Sequence, residues 1–306
     1  MKCGADQRGP RTARMNAEQI NERAMVHWDE TRAPAPRARG GAAMPRRQVL
    51  LIPVLACILL VPAVRAFGQR WLTGGVDVPV DPPPADDGRF VFARLRFTTA
   101  PGGYYFRGLP AWAHGYYGGG EGRRSERSLV KILNSVTNMN PHVDGTRVVD
   151  VGEPDLFRYP VVYATEPGFM SLDDREALAL HDYMLKGGFI IFDDFRGPYD
   201  WENFRATMQR VLPGEQPVAL TLDHPIFHSF FDIPTLNFVQ YYDRGTPIFY
   251  GMFPHNDASK PLQLIANFNN DVSEYWEYSD TGFTPIDLSN EAYKLGVNYV
   301  IYGMTH

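Results

Sequence analysis

The sequence predicts an α/β fold built on a mostly parallel sheet, on three observations. Residues 160–165 (PVVYAT) and 189–193 (FIIFD) are short runs, apolar enough for strands buried on both faces. Helical segments of 12 to 16 residues separate the strand candidates, long enough for crossover connections. Glycine and proline mark the joins, as at Gly187-Gly188 and Pro213-Gly214.

The elements follow in order. Residues 90–97 (FVFARLRF) carry alternating apolar side chains and read as the first strand. Residues 98–120 are too rich in glycine for a helix and form a loop loaded with aromatic side chains. Residues 125–138 put Leu129, Ile132, Leu133 and Val136 on one helical face, and Asn140-Pro141 stops that helix. Residues 147–151 and 160–165 are strands. Ser171 is expected to cap a helix running through Lys186, with Asp173, Asp174 and Glu176 in its first turn, where the dipole favours anions. Gly187 supplies the left-handed residue at its end. After the strand at 189–193, Asp200 is expected to cap a helix reaching Leu212. Residues 217–222, 248–251 and 262–268 are further strands, and 289–303 a closing helix. With no internal repeat, these elements make one domain, at 89–306.

The amino-terminal quarter has a different character. Residues 49–64 (VLLIPVLACILLVPAV) are apolar but shorter than the roughly 20 residues a bilayer-spanning helix needs. Arg46 and Arg47 precede them, and Val64-Arg65-Ala66 offers a small-residue cleavage site before Phe67. Residues 44–66 therefore read as a signal peptide, the alternative being an uncleaved inner-membrane anchor that would be the chain's only membrane contact. Both place the remainder outside the cytoplasm, in the periplasm or beyond. Arg46-Arg47-Gln48-Val49-Leu50 also resembles a twin-arginine export signal. Residues 1–43, basic and of low complexity, precede this leader as an extension expected to be either disordered or non-native, with Met44 as the true start in the second case, and residues 67–88 form a Pro/Gly linker, densest in the GGVDVPVDPPPADDG run.

Removing the leader changes the chemistry on offer. Cys3 and Cys57 are the only cysteines, so the exported part lacks a thiol nucleophile, a disulfide and any cysteine-ligated metal. Of 30 Lys+Arg and 35 Asp+Glu, residues 1–66 hold 11 and 5, leaving about −11 on the rest. A surface so acidic does not neutralise phosphates, which argues against nucleic acid as a partner.

Several strings then match a known family. RYPVVYATEPG, LKGGFIIFDDFRG, LDHPIFHSFF, FNNDVSEYWE and AYKLGVNYVIYGMTH together resemble the bacterial domain of unknown function DUF4159, over residues 89–306. That family is similar to the class I glutamine amidotransferase-like superfamily, which implies a flavodoxin-like three-layer sandwich. The LKGGFIIF run and the Asp-His-Pro-Ile segment are also similar to its trehalose-utilisation (ThuA-like) members. The resemblance implies fold and imports no activity. Amidotransferases of this superfamily use a cysteine after a strand, activated by a histidine and a glutamate. Here the strand is followed by Asp193 and Asp194, and a carboxylate cannot replace a thiolate, so glutaminase activity is not expected.

Four groups of residues invite a ligand. Asp193 and Asp194 end a buried parallel strand, where open α/β sheets place ligands, and Arg196, Asp200 and Trp201 follow. They suit a divalent cation or a sugar hydroxyl, or else loop amides and a turn. His224 and His228 have the spacing of a zinc pair on a helix, but Pro225 makes His224 a helix start, with Asp223 beside it. Asn269, Asn270, Asp271, Glu274, Trp276 and Glu277 suit an oxygen-ligated cation, a glycan edge, or a turn in which Asn and Asp bond their own backbone. Tyr104, Tyr105, Phe106, Trp112, His114, Tyr116 and Tyr117 suit sugar stacking or a protein anchor, or a lid folded over the sheet edge. The leading expectation is a non-catalytic, exported binding or assembly domain with an envelope protein or glycan as partner. The alternative is a metal-assisted hydrolase of an envelope carbohydrate or peptide, with Asp193 or Asp194 as ligand and His224 as base.

Overall fold

The computed structural model describes residues 76–105, 108–116, 124–237 and 245–306, all within one compact unit. The expected leader and its upstream extension, residues 67–75, and Phe106 and Tyr117 of the aromatic loop lie outside the described residues.

The elements are β1 (Ala93–Arg96), β2 (Thr98–Thr99), α1 (Arg124–Val136), β3 (Arg147–Asp150), β4 (Val161–Thr165), β5 (Met170–Ser171), α2 (Asp174–Leu185), β6 (Phe189–Phe195), α3 (Gly197–Val211), β7 (Val218–Ala219), β8 (Ile248–Met252), β9 (Leu264–Phe268), α4 (Val272–Glu277) and α5 (Ile286–Thr305). Seven strands form one sheet in the order β3-β1-β4-β6-β9-β8-β7, while β2 pairs with β5 apart from it. The five strands from β3 to β9 run parallel. Strand β8 opposes β9, and β7 opposes β8 in turn. The sheet is therefore mostly parallel, as the alternation of apolar runs and amphipathic segments predicts.

Helices cover both faces, because successive side chains of a central strand point to opposite sides. From β6, Ile190 and Phe192 join a core with Leu180 and Met184 of α2 and Phe204 and Met208 of α3. Phe189 and Ile191 join a second core with Leu129 and Leu133 of α1, Trp276 of α4 and Leu295 and Tyr299 of α5. The result is a three-layer α/β sandwich. Phe192 is fully buried with its ring edge-on to Phe204 at 5.3 Å, so truncating it to alanine costs about 3–5 kcal/mol.

Three local expectations are corrected. Helix α2 is capped by Asp173, whose side chain accepts from the Glu176 amide (2.7 Å) while Glu176 accepts from the Asp173 amide (2.8 Å). That reciprocal box satisfies two orphan donors at once, and Ser171 is spent in β5 pairing with Thr98. Helix α3 starts at Gly197, and Asp200 sits inside its first turn, reaching back to the Arg196 amide at 3.0 Å. Of residues 217–222, only Val218 and Ala219 are in a strand, both exposed at the sheet edge. The Pro-rich segment from residue 76 forms no helix or strand, yet Val78 is buried and the Asp81 amide donates to the Tyr116 hydroxyl at 3.3 Å.

Strand β1 lies between β3 and β4, so the chain leaves it on one side and returns on the other. Open α/β sheets bind ligands at the carboxyl ends of strands beside such a switch point. The segments leaving β1 and β4 are stitched together there by the β2·β5 pair. Among the described residues, no helix is long and apolar enough to cross a membrane.

Candidate functional site at the carboxyl edge of the sheet

Strand β6 delivers two adjacent aspartates to this edge, and they face different surroundings. The register with β9 shifts between Phe192 and Phe195, and Asp194 takes a left-handed φ of 57°. Such a backbone is uncommon outside glycine and concentrates at functional sites. Asp193 is fully buried. It accepts from Asn267 Nδ2 (3.0 Å), the amides of Val272 (3.2 Å) and Ser273 (2.9 Å), and the Tyr163 hydroxyl (3.3 Å). It thereby fastens the start of α4, and burial pushes its pKa up to about 6 in spite of these donors.

Asp194 is also buried, with Oδ2 2.6 Å from His114 Nδ1 and Oδ1 accepting from Arg196 Nη2 at 3.3 Å. Burial would raise its pKa, but the charge and hydrogen bond of His114, with Arg196, hold it below the usual carboxylate range. His114 is raised in return: burial opposes the imidazolium and Asp194 more than compensates.

His114 follows the short turn Ala111–Ala113, and a buried arginine sets its position. Arg94 of β1 donates through Nε to Glu126 Oε1 (2.5 Å) and through Nη1 to the carbonyls of Trp112 (3.1 Å) and His114 (2.7 Å). The turn is thus clamped on both sides of Ala113. Tyr105 lies flat on the His114 ring, with centroids 4.5 Å apart and planes 11° from parallel, and donates its hydroxyl to Glu166 Oε1.

Glu166 directly follows β4 with φ 51°, its amide donating to the Asp193 carbonyl at 2.9 Å. Its Oε1 is 3.1 Å from His114 Nδ1. Burial, then the charge of Asp194, raises its pKa well above the ordinary value, so Glu166 holds a proton where Asp194 is ionised. One nitrogen of His114 and one carboxylate oxygen each from Glu166 and Asp194 lie within 4.8 Å of one another. A mixed nitrogen and oxygen set of this kind fits a divalent transition metal such as Zn²⁺ or Mn²⁺.

The family model for DUF4159, a domain of unknown function, matches residues 116–304. The chain belongs to the DUF4159 family. Glu166, Asp193, Asp194 and the acids of α4 fall inside the matched stretch, whereas Arg94, Tyr105 and His114 precede it. No curated protein matches the chain.

In this DUF4159 chain α4 adds further acids. Asp271 caps the helix, its Oδ1 accepting from the Glu274 amide (2.9 Å) and the Ser273 hydroxyl (3.0 Å). Burial and the charges of Asp194 and Asp193 push its pKa well up. Burial, then Glu277 and Asp194, raises Glu274 to about 7, and Glu277 is raised by burial too.

The structure places Asp193, Asp194, Arg196, Asp271 and Glu277 together and adds His114 from the aromatic loop. His224 lies elsewhere. It caps the turn Pro225–Phe227, its Nδ1 accepting from the Ile226 amide (3.2 Å), and its ring neighbours Phe253 and Tyr302. Tyr302 packs on Phe189, the first residue of β6, so His224 marks the opposite end of the strands. His228 bonds the Leu222 carbonyl and Asp232, and Asp223 accepts from Thr221. The aromatic loop folds inward: Trp112 and Tyr116 are buried, and Tyr104, half-buried, donates to the Thr99 carbonyl (3.2 Å).

Sequence reasoning missed Glu166 and Arg94, and both left a signal. Glu166 is the acid that directly follows the PVVYAT run, as Asp194 follows FIIFD, and Thr165 pairs with Asp193. Arg94 is a charge in a strand whose neighbours are apolar, and a buried charge requires a partner.

Proposed function

We propose that this DUF4159 chain is an exported, cation-assisted hydrolase of an envelope carbohydrate or peptide, with the cation held by His114, Glu166 and Asp194. The convergence of their three donor atoms within 4.8 Å, from three separate segments, carries this assignment. A bound cation supplies a Lewis acid for a carbonyl, acetal or water oxygen. Glu274, with a pKa of about 7, is suited to take the proton of an attacking water and return it to the leaving group as the scissile bond breaks. His224 has no part in this chemistry, since it sits at the far edge.

Burial of Trp112 and Tyr116, which would otherwise belong to a capture surface, supports hydrolysis over non-catalytic capture. Incubating the purified full chain with an envelope-polymer digest and Mn²⁺ or Zn²⁺ tests the assignment by the release of reducing ends or free amines. Release should stop in Glu274→Gln with cation binding intact. Cation binding without turnover on any such polymer would instead support a binding domain, which the lack of cysteine beyond Cys57 also suits.

A further inference from the structure

Each donor of the three-residue site is held from behind by a second side chain. Arg196 binds Oδ1 of Asp194 and leaves Oδ2 facing His114. Arg94 grips the His114 carbonyl. Tyr105 touches two donors at once: its ring stacks on the His114 imidazole, and its hydroxyl donates to the Glu166 oxygen that faces His114 Nδ1.

We propose that Tyr105 is the positioning residue of the site, fixing the plane of His114 and the aim of Glu166 together; the assignment rests on the cation reading above. A carboxylate oxygen has two lone-pair directions. The tyrosine hydroxyl occupies one on Oε1, which leaves the other for a cation beside His114 Nδ1, 3.1 Å away. Stacking at 4.5 Å resists rotation of the imidazole, which would carry Nδ1 away from that point. Tyr105 is itself held by its loop, its amide donating to the Leu109 carbonyl and its carbonyl accepting from the Gly108 amide, both at 2.8 Å. Outer partners of metal ligands fix ligand orientation, and losing one typically costs 10–100-fold in affinity.

Titrating Mn²⁺ calorimetrically into the full chain and two variants tests this. Tyr105→Phe keeps the stack and loses the hydroxyl, whereas Tyr105→Leu loses both. The expected result is affinity about 10-fold weaker in Tyr105→Phe and weaker again in Tyr105→Leu, with the cation-free unfolding midpoint of Tyr105→Phe lowered by no more than about 4 °C, the loss of one hydrogen bond. The visible absorption of bound Co²⁺ should also shift in Tyr105→Phe, which a purely structural role would not produce. Should Tyr105→Leu fail to fold, Tyr105→Phe alone decides. Wild-type affinity in Tyr105→Phe overturns the assignment. A wild-type chain that binds neither ion overturns the cation site itself and this inference with it.

Discussion

Asp194 Oδ2 lies 2.6 Å from His114 Nδ1, across 80 positions of sequence, on a residue whose backbone is left-handed. The contact exists because two loops meet at the switch point of the sheet. One follows β1 and is clamped by Arg94; the other is the irregular end of β6. Strain at Asp194 and at Glu166 is tolerated because their backbones are tied, Asp194 N–H to the Asn270 carbonyl at 3.1 Å and Glu166 N–H to the Asp193 carbonyl at 2.9 Å.

The two adjacent aspartates should respond differently to substitution, one mainly through stability and the other mainly through cation binding. Asp193→Ala leaves two amides, the Asn267 side chain and the Tyr163 hydroxyl without their acceptor in a closed interior. At about 1–3 kcal/mol for each buried orphan, chemical denaturation should show a loss of at least about 3 kcal/mol. Asp194→Asn gives up the charge that His114 and Arg196 stabilise but keeps a polar side chain of the same shape, so it should cost clearly less stability than Asp193→Ala while cation binding disappears. Equal destabilisation by both would contradict the division of labour between them.

Arg94→Leu should destabilise the chain by about 3–5 kcal/mol in urea unfolding, since it abandons the wholly buried Glu126 carboxylate and two loop carbonyls. Cation binding should fall with it, because the His114 turn loses its clamp. A variant of wild-type stability would show that water or another donor takes over the role of the guanidinium.

Stability without added cation should fall as pH rises from about 4 to about 7. Asp193, pushed from 3.8 to about 6, and Glu274, pushed from 4.5 to about 7, bind protons more tightly folded than unfolded. Their burial therefore costs stability once pH passes the unfolded value, and the cost is complete above the folded one. His114 adds the same sign near neutrality: its pKa is raised, so its contribution is full below 6.5 and lost above. Asp194 is depressed and acts only below 3.8, outside this window. Unfolding midpoints between pH 4 and 7.5 should decline and recover on adding Zn²⁺ at the upper end. A midpoint that rises across that range would contradict the assignment of protons to these groups.

Much of this was legible in the sequence for physical reasons. The strands FIIFD and PVVYAT announce themselves because both faces are covered, so a charged residue appears only at or beyond their carboxyl ends. Asp193 and Asp194 followed from the strand-end rule alone. Helix starts were harder, since Ser171, Asp173 and Asp200 are all good caps and only tertiary pairing decides among them. The partnership of His114, Tyr105 and Glu166 was hidden, because it depends on which loops the strand order brings together. His224 illustrates the converse, a residue with metal-like spacing that folding places at the other end of the sheet.

The most direct test of the account is equilibrium dialysis of the full chain against Mn²⁺ or Zn²⁺ with elemental analysis, repeated for His114→Ala and Asp194→Asn. The account predicts one cation per wild-type chain and none at the same free concentration in either variant. A chain that takes up no cation, or variants that retain it, would contradict it.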